Sequence, residues 1–186
     1  MNFKNLIKNR PESANLNVAL CDKPADVHFT MVNEAYAVNG IWEFMPSFIK
    51  EKWFSTITDA WISTQPTIPC RPILPLLTAL GVMHIDLWVL DVEGAELLVL
   101  QSMDFGRVTV DVLIFELDGS NSVKDQACID LLDKAGYEEV GCWQGSVISR
   151  NKWFQRRGFI QHSELNGFKH KFTGNFRRAS GGKGGR

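Results

Sequence analysis

Two mostly apolar runs, Ile85 to Leu90 and Val110 to Phe115, each broken only by one aspartate (Asp86, Asp111), stand out along the chain. Runs of this length, rich in β-branched and aliphatic side chains, predict strands buried on both faces, as inside a parallel sheet. Each run ends in an acid, Asp91 after the first and Glu116 after the second. Glu93 and Glu96 follow Asp91 in what reads as the first turn of a helix, where the unpaired amides and the dipole favour carboxylates. Acids therefore gather at the carboxyl edge of buried strands, the place where open α/β sheets bind ligands.

The remaining pattern fills in the chain around these strands. Phe3, Leu6 and Ile7 have helical spacing, and Pro11 stops that helix by disfavouring the helical conformation at Arg10. Asn17 to Cys21 is a short apolar run ending at Asp22, and Lys23-Pro24-Ala25-Asp26 has the composition of a turn. Val27, Phe29 and Met31 alternate with His28 and Thr30, which predicts a half-buried strand with His28 on its polar face, a placement that explains the histidine without catalysis. Residues 32 to 63 carry Trp42, Phe44, Phe48, Trp53, Phe54 and Trp61. That aromatic density reads as packing under a long insertion, with an acceptor pocket as the alternative. Gln65 to Pro72 is extended, Ile73 to Leu80 forms a short helix ended by Gly81, and His84 falls in a surface loop.

Beyond the second buried run, residues 118 to 122 turn the chain into an amphipathic helix bearing Ala127, Ile129, Leu131 and Leu132, which closes at Ala135-Gly136-Tyr137. Glu139 to Trp143 and Ser146 to Ser149 then predict a strand pair around Gln144-Gly145. Strands alternating with helices in this way specify an α/β sheet with right-handed crossovers.

Composition narrows the class. With 186 residues, 45% apolar and 22% charged, the chain is that of an ordinary globular domain, and no run is long and apolar enough to span a membrane. The opening residues lack the apolar core of a secretory signal, so a chain that is complete as given is expected to be cytoplasmic. Cys21, Cys70, Cys128 and Cys142 lie far apart without a Cys-x-x-Cys pair, which predicts reduced, mostly buried thiols rather than a disulfide framework or zinc site. Net charge is −1, but nine of the twenty basic residues and only one acid lie from Asn151 onward. Residues 158–186 therefore read as a basic, Gly-rich tail, and nucleic-acid contact is the lesser reading of it.

The stretch Ile85-Asp86-Leu87 through Asp91-Val92-Glu93-Gly94-Ala95-Glu96, together with Val99-Leu100, Val112 to Glu116 and Ala135-Gly136-Tyr137, resembles the FkbM family of S-adenosylmethionine-dependent methyltransferases. Phe3 to Arg10 and Asn17 to Asp22 resemble that family's second helix and third strand. The resemblance assigns residues 1–157 to a methyltransferase domain and implies a Rossmann-like class I methyltransferase sheet of strand order 3-2-1-4-5-7-6. The strands that cradle the cofactor, 1 and 2, are expected to be missing, giving an N-terminally truncated sheet. A lysine that many bacterial relatives carry before the motif is replaced here at Trp88-Val89.

What the resemblance implies for chemistry follows from those positions. Asp91, Glu93 and Glu116 are the candidate catalytic residues, able to orient an acceptor hydroxyl or take its proton, while Asp22 and Asp91 are candidates for contact with S-adenosylmethionine. No metal site is expected, because no histidine accompanies the acids. The expected acceptor is a small-molecule or glycan hydroxyl, with an oligomeric state the sequence leaves open. A second reading is a non-catalytic remnant or interaction module with a basic tail, since a strand left without its neighbour exposes unpaired amides.

Overall fold

Two sheets, where the apolar pattern predicts one, organise the computed structural model, which describes residues 2–30, 38–117, 119, 121–142 and 151–159. Strand β1 (Ala19–Leu20) runs parallel to β3 (Thr67–Arg71), and β2 (Ala25–His28) pairs antiparallel on the other side of β3. The larger sheet has the order β4–β5–β7–β6, built from β4 (His84–Leu90), β5 (Thr109–Glu116), β6 (Tyr137–Cys142) and β7 (Asn151–Arg156). β4 and β5 are parallel and β7 runs antiparallel to β5. In this sheet β7 stands between β5 and β6. The expected third strand, β1, instead lies in the other sheet.

Helices α1 (Asn2–Asn9), α4 (Ile73–Ala79) and α6 (Ser122–Lys134) fall where the apolar spacing puts them, and Gly81 after α4 takes a left-handed φ of 69°. α6 is capped by Asn121, whose side chain accepts from the Lys124 amide at 3.0 Å, and Gly136 at its far end has a φ of 90°. α5 (Glu96–Gln101) joins β4 to β5. The main core forms where α5 and α6 meet the sheet, around Leu90, Leu100, Leu113, Phe115, Leu132 and Phe154. Tyr137 ties the sheet together from below: its hydroxyl donates to the Val110 carbonyl at 2.8 Å and accepts from the Val110 amide at 3.2 Å.

Several expectations need correction. β4 is not buried on both faces: Trp88 and Leu90 enter the core, but Leu87 and Val89 on the opposite face are 53% and 60% exposed. It is also an edge strand among the described residues, paired on one side by β5. His84 is the first residue of β4 and not a loop residue. The alternation over residues 27 to 31 slips after His28, with Phe29 exposed and Thr30 buried, because the Thr30 hydroxyl donates inward to the Gly40 carbonyl at 3.1 Å. Cys21 and Cys70 are joined as a disulfide, since the parallel β1–β3 register brings their Cα atoms to 5.9 Å across 49 residues of sequence. Cys128 is a free, buried thiol as expected. β7 lies between β5 and β6 although the sequence reading ended the sheet before it, while the predicted strand Ser146 to Ser149 and the tail from residue 160 lie outside the described residues.

The aromatic insertion resolves into packing and surface. Trp42, Met45, Phe54 and Ile62 form a satellite core with α2 (Ser47–Trp53) and α3 (Asp59–Ile62), where Trp42 Nε1 donates to Asp59 Oδ1 at 2.7 Å. Phe48, Trp53 and Trp61 are exposed. No helix of the described residues is long and apolar enough to cross a membrane.

Candidate functional site

The parallel register Leu90↔Phe115 makes β4 and β5 end side by side, so Asp91 and Glu116 leave the sheet at the same edge. The chain then turns through residues 91 to 95 before α5 begins at Glu96. Glu93 therefore does not sit in a helical first turn. It has a φ of 52°, the one non-glycine residue with positive φ among those described, and Gly94 follows at 112°. A non-glycine residue in that region stores of order 1 kcal/mol or more and persists only where its surroundings fix it.

Those surroundings come from the insertion. A Cβ placed on Gly94 would lie 2.7 Å from the Phe44 carbonyl oxygen and 2.9 Å from Pro46 Cδ, and one placed on Gly40 would lie 2.9 Å from Glu93 Cβ. Only glycine allows the two segments to close to this distance, so the 40–46 loop clamps the turn. From the other side, Glu96 holds the turn with its own carboxylate. It is 1% exposed; Oε1 accepts from the Gly94 amide at 3.1 Å and the Val92 amide at 3.4 Å, and Oε2 pairs with Lys124 Nζ of α6 at 2.8 Å. Sequence reasoning assigned Glu96 to the helix dipole and overlooked Lys124 altogether; no spacing signal joins residues 28 positions apart.

The product of this scaffold is a cluster of three acids. Asp91, Glu93 and Glu116 bring one carboxylate oxygen each within 4.8 Å of the others, so the three predicted catalytic residues converge. Partial burial, and then the negative charge of Glu96, hold the Asp91 carboxyl above the usual aspartate value. Oxygens this close suit a cationic group or a hydroxyl that donates to them, and they are also compact enough for a divalent cation. Asp22 is not brought to them: it is exposed after β1, at the smaller sheet.

Two histidine pairs lie elsewhere. At the amino end of the same strands His84 Nε2 meets Asp111 at 2.8 Å, and Arg156 Nη2 meets the other oxygen of Asp111 at 3.1 Å. Asp86 stands opposite Asp111, and His84, Asp86 and Asp111 also lie within 4.8 Å of one another. On β2, His28 pairs with Glu43 of the insertion at 2.6 Å.

Comparison with known proteins places this geometry in a family. Neither the curated proteins nor the solved structures contain a significant match to the chain. The family model described as the methyltransferase FkbM domain matches residues 2–139, a span that includes β4, its acid-bearing turn and Glu116, and the chain belongs to that family.

Proposed function

We propose that the chain is an S-adenosylmethionine-dependent methyltransferase domain acting on a hydroxyl of a small molecule or glycan, with Asp91, Glu93 and Glu116 at its acceptor side. The observation that carries this reading is the convergence of the three carboxylates at the shared end of β4 and β5, on a turn held in a strained conformation from two sides. The donor set fits the cationic end of the cofactor: a sulfonium and an ammonium find matching negative charge there, and Asp91 would hold it. When bound, the cofactor supplies an activated methyl group.

Everything else falls to the chain's own side chains. Methyl transfer is a displacement in line, so alignment of the acceptor oxygen matters most. Glu93 and Glu116 accept hydrogen bonds from the acceptor hydroxyl and fix its direction, while Asp91 balances positive charge at the strand end. Titration calorimetry of the full chain with S-adenosylmethionine is the direct test. Binding that is lost in Asp91→Ala is expected, and an absence of heat with a folded protein would overturn the reading.

A second reading, an interaction module without catalysis, draws support from β4 alone, whose apolar Leu87 and Val89 are exposed on a strand that is an edge among the described residues. Under it, Asp91→Ala and Glu93→Ala would leave the biological activity intact.

A further inference from the structure

The three acids align a hydroxyl, and removing its proton calls for a base matched to the working pH. An imidazole meets that requirement, and one is joined to the turn through residues 40 to 44. His28 Nδ1 donates to Glu43 Oε1 at 2.6 Å, and the His28 amide donates to the same carboxylate at 3.0 and 3.2 Å. A carboxylate only accepts, so the neutral ring carries its proton on Nδ1 and its lone pair on Nε2. Among the described residues Glu43 is the one side-chain partner of this ring, and 17% of the His28 side chain remains accessible.

Both members of the pair are tied to the acid-bearing turn. The Trp42 amide donates to the His28 carbonyl, Phe29 bridges to Ile41, and the Thr30 amide donates to the Gly40 carbonyl, so the end of β2 forms a ladder with residues 40 to 42. Gly40 is the residue that abuts Glu93, and Phe44, next to Glu43, is the one whose carbonyl abuts Gly94. His28 is two residues along the strand from the Thr30–Gly40 rung, roughly 7 Å at the rise of a β-strand.

We propose that His28, oriented by Glu43, is the base that takes the proton of the acceptor hydroxyl at this turn, an assignment that rests on the methyltransferase reading. The O–H bond breaks, its electron pair stays on oxygen, and the proton passes to Nε2. The Glu43 carboxylate then faces the resulting imidazolium, which returns its proton to water. This is the logic of a base oriented by a third group.

The test separates the base from the cofactor. Hydrolysis of p-nitrophenyl acetate by the full chain at neutral pH reads an accessible, basic imidazole without any methyl donor. His28→Gln is expected to lower the protein-catalysed rate about tenfold or more, the lower end of what an acid–base group contributes being well above that. Glu43→Gln should give an intermediate rate, because the ring loses the partner that orients it. Equal rates in wild type and His28→Gln would overturn the proposal. Long-range nitrogen-15 NMR on the wild-type chain gives a second measurement that needs no variant, and a neutral His28 protonated on Nε2 would overturn it as well. Cofactor binding without His28-dependent hydrolysis removes the dyad alone, whereas His28-dependent hydrolysis without cofactor binding removes the methyltransferase reading and keeps the dyad as a base.

Discussion

At the amino end of β4 and β5, Asp111 is held between His84 Nε2 at 2.8 Å and Arg156 Nη2 at 3.1 Å, whereas at the carboxyl end Asp91, Glu93 and Glu116 crowd their oxygens within 4.8 Å of one another. The same two strands thus carry acids at both ends, in opposite arrangements. At the amino end each Asp111 oxygen has a cationic or ionisable partner, as expected of a carboxylate that closes a sheet edge. At the carboxyl end Lys124 reaches across from α6 to bind Glu96, the acid that shapes the turn, and Asp91 is left with a raised affinity for protons. The difference teaches that what the scaffold does with an acid matters more than the acid: at one end cations meet Asp111, and at the other the Glu96–Lys124 pair shapes the turn that brings three carboxylates together.

The sharpest way to break the comparison is to remove the strut beneath the carboxyl end. Lys124→Met leaves the buried Glu96 carboxylate without its partner and is expected to cost about 3–5 kcal/mol, read from urea unfolding. A loss below about 1 kcal/mol would mean that the turn does not depend on the Glu96–Lys124 pair. Asp111→Asn tests the opposite end. It is expected to cost about 2 kcal/mol through the weakened contacts to His84 and Arg156 while cofactor binding stays unchanged, since the site lies at the other end of the strands. Loss of cofactor binding in a folded Asp111→Asn protein would show that the two ends are not separable.

A smaller effect of opposite sign is expected at Glu93. Glycine there relieves the positive φ, so Glu93→Gly should leave stability unchanged or raise it by up to about 1 kcal/mol, the gain being reduced by the greater chain entropy of glycine. Methyl transfer should fall at the same time. A destabilised Glu93→Gly protein would show that the side chain supports the fold rather than the site.

How much of this was legible in the sequence depends on the range of the interaction involved. The three acids at strand ends could be read because β4, β5 and the turn between them are local, and apolar runs of six residues specify strands directly. Helix α6 was legible for the same reason, from periodicity and its Gly136 stop. What the sequence concealed is non-local. The Cys21–Cys70 bridge, the Glu96–Lys124 pair and the clamp of Gly40 and Phe44 on the Glu93–Gly94 turn each join segments from different elements. β7 was hidden for another reason: Asn151-Lys152-Trp153-Phe154-Gln155-Arg156 mixes polar and apolar residues although it is flanked by β5 and β6, because its polar side chains are absorbed by pairs such as Gln155 with Glu138 at 2.6 Å. His28 was readable as a strand residue but not as a partner of Glu43, which lies 15 residues away.

The finest test of the comparison is the pH dependence that Asp91 contributes. Its folded pKa lies above the unfolded value of 3.8, raised first by burial and second by Glu96. Between the two values the folded state binds more protons than the unfolded one, so stability falls as pH rises through that window. The contribution is fully present below the unfolded pKa and lost above the folded one. Asp91→Asn removes this titration, and its stability relative to wild type should therefore improve as pH is raised from below 3.8 through the window. Glu96→Gln should move the Asp91 carboxyl resonance in carbon-13 NMR to a lower midpoint, but only by the smaller share, because burial remains. A midpoint in Glu96→Gln that falls all the way to the ordinary aspartate value would make the charge of Glu96, and not partial burial, the cause of the raised proton affinity.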